Sequence, residues 1–149
     1  LDYFHDEVGY NYRLVNVLAA IGLAQMENFD VILNRKKEIN RIYRKELRGV
    51  GDIKFQMNDQ NSNPNHWLFT FRTKKMRELL NYLNNKKIQS RPFWTPMNNL
   101  PMYKKLIYIK KNDISNKIFN ECISIPSSSN LSSSDQEIVI SEIKNFYKL

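Results

Sequence analysis

Two segments of this chain carry more hydrogen-bonding and aromatic side chains than a plain scaffold needs. The first is Gly9-Tyr10-Asn11-Tyr12-Arg13, set just before a run with helical spacing. Tyr, Asn, Tyr and Arg gather several donors at one loop-to-helix junction, a place suited to holding an anion. The competing reading is an N-capping Asn with aromatic packing around it. The second is Ser90-Arg91-Pro92-Phe93-Trp94-Thr95-Pro96, a Pro-framed turn presenting Arg and Trp. Such a turn suits a planar or carboxylate-bearing group, and it equally suits a loop pinned by aromatic burial. Other chemistry finds little support. His5 and His66 are far apart and a single Cys122 cannot build a thiolate metal site. Cys122 lies in the apolar stretch from Ile118 to Ile125, where a thiol stays protonated and is no nucleophile. The four glycines do not have phosphate-loop spacing.

The elements that must position these residues follow from periodicity. Leu14, Val17, Leu18, Ile21 and Ala24 predict a helix, with Ala19, Ala20 and Gly22 allowing another element to approach closely. A second helix follows Asn28-Phe29-Asp30, with Ile32, Ile39, Ile42, Tyr43 and Leu47 on one side, ended by Gly49 and Gly51. Strands are expected at 52–55, 66–73 and 88–90, a helix at 74–85, and an extended path through Pro92, Pro96 and Pro101. The last third predicts a helix at 115–122, a short strand at 123–126 and a closing helix. That helix is capped by Ser132 with Asp135 or by Ser134 with Glu137, and it buries Val139, Ile143, Phe146 and Tyr147. The fold class is α+β: two leading helices, then a small sheet covered by helices. The expected division sets a leading loop and helices at 1–48 apart from a small α+β domain at 49–149.

With 149 residues and 42% hydrophobic content, the chain can bury one core. No apolar run is long enough to cross a membrane. One cysteine fits a reducing compartment, and the expected location is the cytoplasm. The net charge of +8 raises the question of nucleic acid, but it comes mainly as scattered doublets such as Lys36-Lys37 and Lys104-Lys105. No basic-aromatic platform accompanies them, so solvated surface is favoured over nucleic-acid binding.

Taken together, the motifs resemble the DegT/StrS-type family of pyridoxal-phosphate (PLP) sugar aminotransferases. The resemblance runs from His5-Asp6-Glu7-Val8-Gly9-Tyr10-Asn11-Tyr12-Arg13-Leu14 through Ala19-Ala20-Ile21-Gly22-Leu23-Ala24-Gln25-Met26 and Arg35-Lys36. It continues in Ser90 to Pro96, Ile125-Pro126-Ser127-Ser128 and Asp135-Gln136. The wording of the first and the Pro-rich blocks looks closest to enzymes that aminate 4-keto nucleotide sugars on the way to legionaminic-acid-like sugars. The resemblance implies the small C-terminal domain of a fold-type-I enzyme, working as a homodimer with shared active sites. It implies that Asn11 reaches the PLP phosphate of the neighbouring subunit, a bond of about 1.5–3 kcal/mol. Arg13, and with less definition Tyr12, are implied near substrate, together with Arg91 and Trp94. Asn98 stands nearest to where many members carry a substrate-side His. The family's Schiff-base lysine and the Asp that pairs with the pyridinium nitrogen lie upstream of the opening motif. This stretch is therefore expected to lack a catalytic residue of its own and to be inactive alone. The alternative is a non-catalytic module that binds a sugar nucleotide or a partner.

Overall fold

The structure, a computed structural model, describes residues 3–10 and 14–148. Helix α1 (Asn16–Glu27) gives way at Asn28 to α2 (Phe29–Glu46). Then come β1 (Lys54–Phe55), β2 (Phe69–Arg72), α3 (Met76–Asn85), β3 (Arg91–Pro92), α4 (Ile114–Glu121), β4 (Cys122–Ile125) and α5 (Ser133–Lys148). The four strands form one antiparallel sheet in the order β1-β2-β4-β3.

Alternation along the two central strands decides which side is buried. Phe69 and Phe71 of β2 and Ile123 and Ile125 of β4 are buried, whereas Thr70, Arg72, Cys122 and Ser124 are only half-buried. The buried set joins Ile39 and Tyr43 of α2, Leu79, Leu80 and Leu83 of α3, and Val139, Ile140 and Ile143 of α5 in one core. Leu47, just beyond α2, joins the same core, so this helix is shared across the division expected after residue 48. Gln136 adds a buried polar tie, its Nε2 donating to the Ile39 carbonyl at 2.9 Å. On the other side of the sheet the Thr70 and Ser124 hydroxyls meet at 2.8 Å, and Arg72 pairs with Glu121.

Two local expectations are corrected. The strand expected at 88–90 lies at Arg91–Pro92 instead, because 87–88 closes α3. Lys87 takes φ 64° and donates to the Asn84 carbonyl at 3.0 Å, while Ile88 donates to the Leu83 carbonyl at 2.9 Å. That is a Schellman closure with its hydrophobic contact, which consumes the N–H groups a strand would use. The strand expected from His66 starts only at Phe69, since His66 sits at φ 52° and turns the chain out of the ladder. Helix α1, whose Ala19, Ala20 and Gly22 would allow a close approach, has no buried residue, and a Cβ on Gly22 would meet nothing within 4 Å. The closing helix uses Ser132, not Ser134. The Ser132 Oγ accepts from the Asp135 N–H at 3.0 Å and donates to the Asp135 carboxylate at 2.6 Å.

A polar clip ties the start of the sheet to α5. Asp52 accepts from the Thr73 hydroxyl at 2.5 Å, the Lys74 N–H at 2.7 Å and the Tyr147 hydroxyl at 3.2 Å. Partial burial works against this carboxylate, but these hydrogen bonds more than offset it and hold its pKa below the usual carboxylate range. The lowered folded-state pKa means the clip stabilises fully above the unfolded carboxylate's value and is lost as pH falls through the folded one. Asp52→Ala is expected to cost about 2 kcal/mol at neutral pH. In urea titrations the gap from the parent protein should narrow as pH drops through that lower value; a gap independent of pH would refute the assignment.

Candidate functional site

Arg91 and Trp94 owe their placement to β3. Arg91 pairs with Ser124 across the strands and Pro92 with Ile123, so Arg91 shares the side of Ser124 and Thr70 while Pro92 turns to the core. Beyond β3 the Phe93 N–H donates to the Cys122 carbonyl at 3.3 Å, which extends the pairing by one residue and sets the start of the Trp94 turn.

Both residues line a cleft of about 670 Å³, together with Tyr3, Trp67, residues 124–129 and the first two turns of α2. Three aromatic rings build one wall. Trp94 stacks against Tyr3 with centroids 5.6 Å apart and against Trp67 at 6.1 Å, and Phe93 meets Trp94 edge-on at 5.1 Å. Arg91 has no ion pair among the described residues, which leaves its planar fork of donors available beside the rings. Phe29, Ile32 and Leu33 add the apolar floor.

Lys36 holds this wall in place. Its Nζ donates to the Trp67 carbonyl at 2.7 Å and to the Ser127 carbonyl, spanning from α2 to both walls. Neighbouring Arg35 does the same further on, reaching the Leu131 carbonyl and Glu38, each at 2.6 Å. Burial pushes the Lys36 ammonium pKa down. Read by its immediate neighbours, Lys36 looks like one more solvated lysine. The signal that could have found it is its i+4 and i+3 spacing from Ile32 and Leu33 on the inward side of α2.

The other expected site residues are distributed differently. Asn98 sits in a short 3-10 turn at Met97–Asn99, where its amide donates to the Asn99 side chain at 2.9 Å, and it does not line the cleft. Asn11, Tyr12 and Arg13 lie outside the described residues. Cys122 is half-buried on the open side of the sheet and burial pushes its thiol pKa up, the condition of an unreactive thiol. Among the described residues there is no group of acids, histidines and cysteines able to hold a metal, and no helix long and apolar enough to cross a membrane.

The donor set indicates how much of a PLP site this cleft could supply. A guanidinium and aromatic faces suit an anionic, planar ligand. The lining has no carboxylate to face a pyridinium nitrogen, and its lysine is already engaged by two carbonyls. The described residues therefore fit one wall of such a site and not the cofactor's whole seat.

Comparison with known proteins places this geometry in context. A sequence model described as the DegT/DnrJ/EryC1/StrS aminotransferase family matches residues 1–144. GDP-perosamine synthase of Vibrio cholerae is 36% identical over 152 aligned residues, covering 97% of this chain and 41% of that protein. A putative pyridoxal phosphate-dependent aminotransferase of Bacillus subtilis, EpsN, is 27% identical over 97% of this chain and 39% of its own length. The solved structure of DesV from S. venezuelae superposes with a TM-score of 0.85 over 100% of this chain and 41% of that one, at 21% identity. The chain thus spans about two fifths of the length of the relatives it matches.

Proposed function

The chain belongs to the DegT/DnrJ/EryC1/StrS aminotransferase family, and from that premise we propose that it forms the C-terminal portion of a PLP-dependent enzyme that moves an amino group from an amino-acid donor to the keto carbon of a nucleotide sugar. The observation that carries this reading is the cleft in which Arg91 stands unpaired beside the stacked Trp94 and Trp67. A nucleotide sugar offers a diphosphate and a planar base, the two chemistries that a guanidinium and an indole face accept. Bound PLP would supply the electron sink for transamination. This chain's own residues orient the sugar nucleotide, keep it against an apolar floor and, through Asn11, reach a phosphate of the neighbouring subunit's cofactor. On the family's pattern Tyr12 and Arg13 border the same pocket, in a homodimer, and the cytoplasm is the proposed setting. A legionaminic-acid-type 4-keto sugar is the proposed substrate.

We place the cofactor's lysine outside this stretch. The described lysines are exposed apart from Lys36, Lys37 and Lys144, and Lys144 is paired with Glu46 at 2.8 Å. Incubating the chain with PLP, reducing with borohydride and mapping lysines by mass spectrometry is expected to show no adduct within residues 1–149. The full-length protein should carry the adduct elsewhere and transaminate a 4-keto nucleotide sugar. A specific adduct on a lysine of this stretch would overturn the placement. In the full-length enzyme, Arg91→Ala is expected to raise KM for the nucleotide sugar about 10-fold while leaving the amino donor's KM unchanged. An unchanged nucleotide-sugar KM would remove Arg91 from the site.

A further inference from the structure

A second cleft, of about 800 Å³, opens beside α2 and shares no lining residue with the aromatic one. Every side chain lining it is polar, and none is acidic. Four of its cations come from one helix, Lys37, Arg41, Arg44 and Lys45 falling at i, i+4, i+7 and i+8, and Arg48 follows from the turn just beyond it. Over its helical part, from Lys37 to Lys45, the stripe is about 12 Å long.

Like charges four residues apart work against a helix, and here the nearby acids offset little of it. The two acids in this part of α2 are engaged elsewhere, Glu38 with Arg35 at 2.6 Å and Glu46 with Lys144 at 2.8 Å. Lys45 reaches Glu46 only at 4.0 Å. Lys37, Arg41 and Arg48 have no ion pair among the described residues. Arg44, in contrast, is held in position. Its Nε donates to the Asn40 side chain at 3.0 Å, its Nη2 donates to the Gln56 carbonyl at 2.8 Å, and its guanidinium lies 5.3 Å above the Phe55 ring. His66 enters the cleft from the turn at φ 52°. Burial, and after it the fields of Arg44, Lys37 and Lys36, hold its pKa below the usual range.

We infer that this cleft is a binding site for a run of tandem phosphate groups. The stripe presents charge at intervals along about 12 Å of helix, more than one phosphate can span, and its fixed Arg44 gives the run an anchor. The one ring lining it is the His66 imidazole, and the Phe55 ring beside it is covered by the Arg44 guanidinium, so a base finds little free face to stack on. The favoured source is therefore an inorganic polyphosphate chain and not a nucleotide tail. The site is independent of the aminotransferase reading, since it uses none of that cleft's residues.

The test is calorimetric titration of the full-length protein with sodium tripolyphosphate, orthophosphate, a nucleoside triphosphate and a short DNA duplex. Tripolyphosphate is expected to bind at least about 10-fold more tightly than orthophosphate and no less tightly than the nucleoside triphosphate. Arg41→Gln/Arg48→Gln, both at exposed positions, should weaken tripolyphosphate about 10-fold or more, whereas Lys104→Gln/Lys105→Gln should leave it within about 2-fold. Should the first pair fail to fold by circular dichroism, Lys37→Gln/Lys45→Gln takes its place with the same expectation. Equal losses in the control pair would mean general attraction to net charge and overturn the site. So would tighter binding of the nucleoside triphosphate, or DNA displacing tripolyphosphate at matched phosphate concentration.

Discussion

Gly51→Ala is expected to lower stability by about 3 kcal/mol, read as a fall in the urea midpoint with an unchanged denaturant slope. Two costs combine. Gly51 sits at φ 53°, where an L side chain pays about 1–2 kcal/mol. A Cβ there would also be driven into the Tyr147 ring, against Cγ, Cδ1 and Cε1. That ring cannot yield cheaply. Its hydroxyl bonds Thr73 at 2.5 Å and Asp52 at 3.2 Å, and its edge meets Phe146 at 5.1 Å. Burial pushes the Tyr147 hydroxyl pKa up to about 12, so it remains a neutral partner across the working pH range. Its single proton serves one of these contacts at a time, so displacing the ring forfeits about 1 kcal/mol of hydrogen bonding. Gly49→Ala is the control. It has φ 77° but its Cβ would meet nothing within 4 Å, so about 1 kcal/mol is expected. Equal losses at the two glycines would show that backbone strain alone is at work. None of these residues lines the aromatic cleft, so in the proposed full-length enzyme the folded fraction of Gly51→Ala should keep the parent's KM for the nucleotide sugar.

Where burial follows a simple period, the sequence announces it. The i, i+3, i+4, i+7 apolar sets of α2, α3 and α5 name residues that are in the core, and the alternation of Phe69 and Phe71 marks the central strand. Of the two motif blocks, the Pro-framed one places Arg91 and Trp94 in the lining of one cleft. What escaped depends on partners distant in the chain. Ile88 reads as a strand residue until Lys87 takes a left-handed conformation and makes it the hydrophobic stop of α3. Trp67 reads as part of the strand, but the turn at His66 leaves it in the aromatic wall. Asn98, four residues after Trp94, is led away from the cleft by the 3-10 turn at Met97–Asn99. In α1 the apolar residues are spread around the helix instead of forming one stripe, and no local pattern identifies a covered side.

Lys36 is the residue for which the sequence misled most, and Lys36→Met tests what it does. Methionine keeps an unbranched chain with good helix propensity, so α2 itself should tolerate the change. What disappears is the ammonium that joins the Trp67 and Ser127 carbonyls. Hydrogen bonds from a charged donor contribute about 1.5–3 kcal/mol, but the exposed Trp67 backbone can recover water, so a net loss of about 2 kcal/mol is expected. The larger effect should be catalytic. Trp67 stacks on Trp94, and a wall released by even about 1 Å can lower kcat/KM about 100-fold without touching the reacting atoms. In the full-length enzyme kcat/KM for the nucleotide sugar should fall by about that factor, with KM rising more than kcat falls, and Lys36→Arg should restore part of it. A purely structural lysine would lower stability and leave KM alone. A lysine bonded to the cofactor would behave differently again: Lys36→Met would then abolish the borohydride-trapped adduct. Retention of that adduct with a raised nucleotide-sugar KM is the outcome that identifies Lys36 as the tie that positions the aromatic wall.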